Sequence, residues 1–372
     1  MKILAFSDFH YCTTWPFLRL EDFEAAAHRI CQYAIEHKPT VVLFLGDRFR
    51  ARQPKDHIRA LADRQLRELA GIQARHGGRV ICLVGNHDRY SESVDSGNTY
   101  TTVGIFQDVL SNVSVVREPG TTEYQDGGAG WLLHALPTGY TYDATKLLFR
   151  PDPSRINVFV FHGLVRGAYF DAKGSVEIEK DAIISLADLD DSSWDVVLGG
   201  DVHIPQKFRL IRTVGGYVGA TLRLTEADAN DWRGFLDVDV EKGGTTITKV
   251  EGGAPWFATV QIACNPDDWP DPKPLVGAIA IVTIAGTAAE LRAIPDARIR
   301  QHFEGARMVR VHRRFAHEAP AFIPAITAAS TPLDDAVAYI KSSDRTGLDE
   351  ARLIAKAMVA LGAEPVRKGG LF

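Results

Sequence analysis

The stretch RVICLVGNHD (79–88) decides the fold, because an apolar run leads directly into three polar side chains. The run predicts a strand buried on both faces, which is typical of a parallel sheet covered by helices. Asn86, His87 and Asp88 follow at the carboxyl end of this strand. An Asn-His-Asp sequence after a buried strand has little structural rationale, and these three residues are therefore candidates for a functional role.

Strand and helix patterns alternate on both sides of this stretch. Further buried strands are predicted at KILAFSD (2–8), VVLFLGD (41–47), WLLHA (131–135), NVFVF (157–161) and WDVVL (194–198). Apolar residues at helical spacing predict helices over 22–37 and 56–75. This alternation predicts an α/β (α+β) fold with a largely parallel sheet covered by helices. After residue 206, short runs separated by glycine-rich turns predict an antiparallel continuation of the same domain.

Two stretches predict a domain boundary and a linker, namely GGAP (252–255) and NPDDWPDPKP (265–274). We therefore expect a first domain over 1–254, a small α/β domain over 275–318 and a C-terminal tail over 319–372. The small domain would contain a strand, a helix over 287–294 and a second strand. In the tail, apolar residues at helical spacing predict an amphipathic helix near 348–361.

Composition and charge exclude several classes of protein. Of the 372 residues, 45% are hydrophobic and 24% are charged, which excludes a disordered, collagen-like or coiled-coil chain. The net charge of −5 excludes a uniformly basic nucleic-acid coat, but not a local basic patch. The four cysteines are far apart in the sequence and indicate a reducing compartment. Because no apolar run approaches the ~18 residues of a membrane span and no signal peptide is recognisable, we expect a cytoplasmic protein without a membrane anchor.

Polar clusters follow five of the predicted strands: Asp8 with His10, Asp47, Asn86 to Asp88, His162, and Asp201 with His203. In open α/β sheets, ligands bind at the carboxyl ends of the strands. Carboxylates, a carboxamide and imidazoles together suit Mn²⁺, Fe²⁺ or Zn²⁺ better than Ca²⁺. A carboxylate can bridge two cations, and two metals ~3.5–4 Å apart can bind a phosphate and activate water. The clusters therefore predict phosphoester hydrolysis.

Each cluster also has a purely structural interpretation. An Asp at a strand end can cap a turn, Gly-Asp is a common turn dipeptide, and His162 alone could be a hydrogen-bonded core histidine. The occurrence of all five clusters, each at the end of a predicted strand, favours the metal site over these separate explanations.

The order of these motifs resembles the pattern of the calcineurin-like metallophosphoesterases: D-x-H (8–10), GD (46–47), GNHD (85–88), a His before Gly (162–163) and GDVH (200–203). In addition, GGYVGATLRLTEADANDWRGFLDVDV (215–240) is similar to the Tyr-x-Gly-Ser segment of the SbcD-type nucleases. These are the bacterial and phage counterparts of the double-strand-break-repair nuclease subunit. The resemblance covers residues 1–315. It implies a two-sheet metallophosphoesterase core, with the small α/β domain as a DNA-capping domain.

The resemblance also implies which residues hold the cofactor, a pair of divalent metal ions for which Mn²⁺ is expected. One ion would be held by Asp8, His10 and His203. The other would be held by Asn86 and His162, and Asp47 would bridge the two.

The same resemblance implies two catalytic residues, and the sequence departs from the family's pattern at two positions. His87 would face the scissile phosphate, and Asp88 would fix the orientation of His87. Asp201 stands where the family usually has His; it is included among the metal ligands, where it adds negative charge. Arg50 stands where the family often has a His after the GD-x-F motif, which leaves the secondary role of that His open.

Charge outside the site indicates partners. Seven arginines lie between residues 291 and 317, and Arg307, Arg310, Arg313 and Arg314 are the candidate DNA-binding residues. Phosphate backbones attract positively charged patches, and contacts to phosphate carry little sequence information. The alternative is that these arginines only form a solvated strand face. The amphipathic helix near 348–361 would either pack on its own chain or dock on a partner, which the resemblance identifies as an SbcC-type SMC-like ATPase. No Walker motif occurs in the sequence, so any ATP dependence would come from that partner. The family also implies a homodimer.

Three functions are consistent with these observations. The first is a metal-dependent DNA nuclease with exonuclease and single-strand endonuclease activity. It would be the SbcD-like subunit of a DNA recombination and repair complex at the nucleoid of a bacterial or phage-infected cell. The second is a small-molecule phosphodiesterase or phosphatase of the same fold, against which the Arg-rich small domain argues. The third is a non-catalytic DNA-end-binding scaffold subunit, against which the retained GNHD motif, His162 and His203 argue.

Overall fold

The computed structural model describes residues 1–13, 20–89, 109–125, 130–169, 178, 181–191, 193–228, 231–252 and 256–315. The tail expected over 319–372, with its predicted amphipathic helix, lies outside the described residues. Within them, no helix has both the length and the hydropathy needed to cross a membrane.

The described part of the chain alternates strands with short and long helices. The strands are β1 (Lys2–Phe6), β2 (Val41–Phe44), β3 (Arg79–Leu83), β4 (Val113–Val116), β5 (Gly120–Tyr124), β6 (Trp131–Leu136), β7 (Ile156–His162), β8 (Val165–Arg166), β9 (Ile184–Ser185), β10 (Val196–Gly200), β11 (Gln206–Lys207), β12 (Gly215–Tyr217), β13 (Gly234–Glu241), β14 (Gly244–Glu251), β15 (Phe257–Ile262), β16 (Ile279–Gly286) and β17 (Met308–Phe315). The α-helices are α1 (Leu20–His37), α2 (Asp56–Ala74), α3 (Tyr142–Thr145), α4 (Leu186–Leu189), α5 (Ala288–Ala293) and α6 (Asp296–His302).

The first sheet has six strands in the order β14-β13-β1-β2-β3-β4. Strands β1 to β4 are parallel, and β13 runs antiparallel to both β1 and β14. The helices expected over 22–37 and 56–75 are α1 and α2, which make the crossovers between these parallel strands. The predicted alternation of strand and helix is therefore confirmed for this half of the fold.

The second sheet has the order β11-β12-β10-β7-β6-β5. Strands β6, β7, β10 and β12 are parallel, and the edge strands β5 and β11 are antiparallel to their neighbours. The sequence predicted that everything after residue 206 would be antiparallel, and this is wrong for β12. The short strand β11 reverses the chain first, so that β12 returns in the direction of β10.

Alternating side chains of the central strands belong to different cores, as the two-residue period of a strand requires. On β2, Val42 contributes to a core with Phe23 of α1 and Leu66 of α2. The next residue, Leu43, belongs to a second core with Val158 of the second sheet. The first sheet is thus covered by helices on one face and by the second sheet on the other, which confirms the two-sheet architecture.

The region after residue 256 contains a three-stranded sheet in the order β15-β16-β17. The expected strand, helix and strand are β16, α5 and β17, and the sequence missed β15 and α6. Helix α5 begins at a capping box, in which Thr287 Oγ1 accepts from the backbone N–H of Glu290 and the Glu290 carboxylate accepts from that of Thr287.

The described part of the chain divides into two compact units. The first unit lies within residues 1–259, 272–281 and 303–310, and the second within 260–271, 282–302 and 311–315. The Gly- and Pro-rich stretches that indicated a linker enclose FATVQI (257–262), which forms β15. One border between the units falls inside β15, after residue 259, and the next falls inside the Pro-rich stretch, after residue 271. The domain bounds expected from the sequence stay a prediction.

Candidate metal centre

The candidate site lies at the carboxyl ends of five parallel strands. Strands β1, β2 and β3 are neighbours in the first sheet, and β7 and β10 are neighbours in the second. Each is followed by, or ends in, one of the predicted polar clusters. The structure brings together side chains that the sequence separates by nearly 200 residues, since parallel strands end at the same edge.

The first group of possible ligands consists of Asp8, His10 and His203. The Nε2 atoms of His10 and His203 are 3.0 Å apart, and His10 Nε2 lies 4.0 Å from Asp8 Oδ1. Ligand atoms bound to one cation at about 2.1 Å are separated by roughly 3.0 to 4.2 Å. The spacing therefore fits one divalent cation, and it unites the three residues predicted for the first ion.

The second group is centred on His162. Its Nε2 atom lies 3.0 Å from Asn86 Oδ1, 3.4 Å from Asp47 Oδ1 and 3.9 Å from Asp201 Oδ1. The Asn86 oxygen also lies 3.0 and 3.1 Å from the two Asp47 oxygens, which are acceptors. A cation between these atoms would satisfy all of these oxygens; without one, turning the Asn86 amide over lets its nitrogen donate to the Asp47 carboxylate. This donor set fits the second ion.

Asp47 faces both groups. Its Oδ1 atom is 3.4 Å from His162 Nε2, and its Oδ2 atom is 3.7 Å from His10 Nε2. Oδ1 also accepts a hydrogen bond from the backbone N–H of His87 at 2.9 Å, which holds the carboxylate in place. Two oxygens directed toward different groups are the arrangement that a bridging carboxylate requires.

His87 is oriented by a backbone group. Its Nδ1–H donates to the carbonyl oxygen of Arg50 at 2.6 Å, which leaves Nε2 as the nitrogen free to meet a substrate. The side chain of His87 is 37% exposed, and its Nε2 lies 3.9 Å from Asp47 Oδ2. This spacing would also let His87 join His10 and Asp47 around a cation.

Asp88 binds backbone groups of two loops. The fully buried carboxylate accepts hydrogen bonds from the backbone N–H groups of Gly85 at 3.0 Å, Asp47 at 2.9 Å and Arg48 at 2.9 Å. These hydrogen bonds join the loop after β2 to the loop after β3. The orientation of His87 by Asp88 stays a prediction.

Burial and mutual charge set the protonation of the site. Burial raises the pKa of Asp8 to about 7 and lowers the pKa of His10 to about 3. Burial alone would raise the pKa of Asp47, but the neighbouring imidazoles, first that of His162, hold it well below its usual range. Conversely, burial opposes the protonation of His162, while the Asp47 carboxylate raises the pKa of His162 well above its usual value. A cation bound beside His162 would displace that proton.

The backbone of the site is held in unusual conformations. Of six described non-glycine residues with positive φ, four are predicted ligands: Asp8 at 48°, His10 at 51°, Asp47 at 58° and Asp201 at 94°. Such conformations persist where the surrounding structure enforces them, and they concentrate at functional sites. No pattern in the sequence indicates this strain.

Gly85 lies so close to Asp47 that no side chain fits at this position. A Cβ atom on Gly85 would lie 2.3 Å from Asp47 Oδ1 and 2.4 Å from the Asp47 backbone nitrogen. The first Gly of GNHD therefore makes room for the shared carboxylate, a role that the sequence analysis did not assign.

Tyr217 is the tyrosine of the segment that resembles Tyr-x-Gly-Ser, and the sequence assigned it no role. Its buried hydroxyl donates to the carbonyl oxygen of Gly163 at 3.0 Å and accepts from the backbone N–H of Val165 at 2.8 Å. It thereby fixes the turn that follows His162. The available signal was an aromatic residue inside a glycine-rich strand, GGYVGA (215–220).

Three of the four candidate DNA-binding arginines bind other parts of the chain. Arg307 donates to both carboxylate oxygens of Asp22, and Arg310 Nε lies 2.5 Å from Glu226 Oε1. Arg313 donates to the carbonyl oxygens of Leu291 and Ile294 and to Asp296. Arg314 is exposed. The alternation of MVRVHRRF did not reveal these partners, and DNA binding by this segment stays a prediction.

The two sheets, with carboxylates and imidazoles gathered at the ends of their strands, define a metal-dependent phosphoesterase. The sequence model of the calcineurin-like phosphoesterase family matches residues 1–205, more than half of the chain, and the chain belongs to this family.

The chain is similar to the DNA double-strand break repair protein Mre11 of Haloferax volcanii, with 25% identity over 253 residues. The match covers 67% of this chain and 51% of that relative, so the chain spans about half of the relative's length. Among solved structures, TT1561 of Thermus thermophilus has a TM-score of 0.40 at 13% identity, and a dimetal phosphatase from Danio rerio has a TM-score of 0.40 at 11% identity. Each match covers 67% of this chain and 98% of the other.

Proposed function

We propose that this chain is a Mn²⁺-dependent DNA nuclease with exonuclease and single-strand endonuclease activity, the SbcD-like subunit of a recombination and repair complex. The observation that carries the proposal is the sharing of Asp47 by two groups of ligands, one around His10 and one around His162. A shared carboxylate is typical of centres that hydrolyse phosphoesters with two metals. The similarity to Mre11, a double-strand break repair protein, supports DNA as the substrate.

The cations would be held by the two groups of ligands described above. When bound, two divalent ions supply Lewis-acid stabilisation of the phosphate and a lowered pKa of water. Mixed oxygen and imidazole donors suit Mn²⁺. Asp47 contributes by staying ionised, because the surrounding imidazoles hold its pKa low.

The other polar side chains of the site transfer a proton or hold the loops in position. The Arg50 carbonyl holds Nδ1–H of His87, so a protonated Nε2 would give its proton to the departing oxygen of the substrate. A positioned proton donor contributes about 10²–10⁴-fold in rate. Asp88 keeps the loops that carry Asp47 and His87 in register through three backbone hydrogen bonds.

A small-molecule phosphodiesterase or phosphatase is the second candidate. One observation favours it: Arg307, Arg310 and Arg313 are already engaged within the chain, which weakens the argument from a basic second domain. The nuclease is preferred because the similarity to Mre11 extends over 67% of the chain.

We further propose that the protein forms a homodimer in the cytoplasm, at the nucleoid, and docks on an SbcC-type SMC-like ATPase. The amphipathic pattern near 348–361 supports a docking helix. Copurification of such an ATPase with the full chain, and its loss when residues 348–361 are deleted, would test this assembly. Retention of the ATPase by the truncated chain would contradict the assigned docking helix.

The substrate is tested by incubating the protein with Mn²⁺ and linear duplex DNA, circular single-stranded DNA or bis-p-nitrophenyl phosphate. Cleavage of both DNA substrates supports the nuclease, and hydrolysis of the small ester alone supports the second candidate. DNA binding without hydrolysis of any substrate would identify a scaffold subunit. The His87→Ala variant, purified in parallel, controls for contaminating nucleases.

A further inference from the structure

The two groups of ligands differ in chemistry. The first offers two imidazoles and one carboxylate, from His10, His203 and Asp8. The second offers one imidazole, from His162, and the oxygens of Asn86 and Asp201. Asp47 is common to both groups, and Asp8 is also within reach of His162. The contrast therefore arises from the second imidazole of the first group and from Asn86 and Asp201 in the second. Imidazole ligands suit Zn²⁺ and Fe²⁺, whereas carboxylate and carbonyl oxygens suit Mn²⁺ and Mg²⁺.

Asp201 is the residue that makes the second group rich in oxygen. Its backbone N–H donates to both oxygens of Asp8, at 3.2 and 3.3 Å. Its backbone has a φ of 94°, and its Oδ1 lies 3.9 Å from His162 Nε2. This separation falls within the roughly 3.0 to 4.2 Å between two ligands of one cation. Asp201 is therefore positioned as a ligand on the His162 side of the centre.

The metal preference of each group follows from its donors. Most sites bind Zn²⁺ more tightly than Mn²⁺, and replacing nitrogen donors by oxygen donors narrows that difference. A carboxylate also adds negative charge, which strengthens the binding of every divalent cation. The His162 side should thus bind both metals well and discriminate little between them, while the His10 side should favour Zn²⁺.

We propose that Asp201 makes the His162 side of this centre tolerant of Mn²⁺ and Mg²⁺, so that this side discriminates less between metals than the His10 side. The inference rests on the two-cation site of the proposed function but not on DNA as the substrate.

The test measures metal binding without substrate. Metal-free wild-type protein and the variants Asp201→His and Asp201→Asn are titrated separately with Zn²⁺ and Mn²⁺ in competition with a chelator. The same titrations are repeated in proteins that also carry His203→Ala, which removes one ligand of the first group. An affinity that is weakened by His203→Ala belongs to the His10 side, and one that is unchanged belongs to the His162 side. Folding of each variant is checked by circular dichroism.

The expected result has three parts. In the wild type, the ratio of Zn²⁺ to Mn²⁺ affinity is larger on the His10 side than on the His162 side. Asp201→His raises this ratio on the His162 side by about tenfold or more, since an imidazole replaces an oxygen donor. Asp201→Asn weakens both metals there, because it keeps an oxygen but removes the charge.

Equal ratios at the two positions of the wild type would overturn the inference even if a variant failed to fold. The inference would also be overturned if Asp201→His changed the ratio of Zn²⁺ to Mn²⁺ affinity only on the His10 side. Binding of a single cation by the wild type would refute both this inference and the two-metal mechanism. By contrast, two selective positions in a protein that leaves DNA intact would support the inference and refute the nuclease.

Discussion

Gly85→Ala tests whether the loop after β3 positions the shared carboxylate. The new Cβ atom would lie 2.3 Å from Asp47 Oδ1 and 2.4 Å from the Asp47 backbone nitrogen, whereas ordinary contact begins at 3.4 Å. Asp47 must therefore move by about 1 Å, and a displacement of about 1 Å at a reacting centre can cost about 10²-fold in rate. Because Asp47 belongs to both groups of ligands, we expect loss of metal as well as of activity.

The assay compares initial rates of bis-p-nitrophenyl phosphate hydrolysis with Mn²⁺, metal content per chain, and unfolding in urea. Gly71→Ala is the matched control, since its Cβ would have no heavy atom within 4 Å and it lies inside α2. The control should keep full activity and gain about 0.5–1 kcal/mol of stability. Wild-type rate and metal content in Gly85→Ala would refute the reasoning.

Three further changes test other parts of the site. His87→Ala should keep its metals and slow hydrolysis by about 10²–10⁴-fold in steady-state assays; loss of metal would make His87 a ligand instead. Tyr217→Phe should lower the free energy of unfolding by about 1–3 kcal/mol in urea titrations, since the Val165 N–H stays buried and loses its acceptor, and a change below about 0.5 kcal/mol would contradict this. Arg314→Gln should flatten the plot of log duplex affinity against log salt by about 0.9 with unchanged small-ester hydrolysis; an unchanged slope would show that Arg314 is only solvated.

The positions of the candidate ligands could be predicted from the sequence because a strand end is a local signal. GNHD follows a buried run, and the parallel arrangement then places His162 and His203 at the same end as Asp8, although they lie far along the chain. The side-chain partners of the arginines could not be predicted in this way. Arg307 pairs with Asp22, 285 positions away, and no local pattern encodes such a contact.

The backbone partners of Asp88 and the direction of β12 could not be predicted for a related reason. The contacts of the Asp88 carboxylate with backbone amides depend on where the loop after β2 lies, and GNHD alone does not show this. The direction of β12 depends on the two-residue strand β11, which is too short to produce a recognisable alternation.

The most direct test of the central claim is the number and coupling of Mn²⁺ ions bound to the wild type and to Asp47→Ala, measured by metal analysis and electron paramagnetic resonance. Two cations about 3.5–4 Å apart that share a carboxylate are magnetically coupled. We predict two coupled Mn²⁺ ions per chain in the wild type and in the control Asp143→Ala, whose carboxylate is exposed. In Asp47→Ala we predict reduced occupancy and no coupled signal. Two coupled ions in Asp47→Ala would contradict the assignment of Asp47 as the bridge.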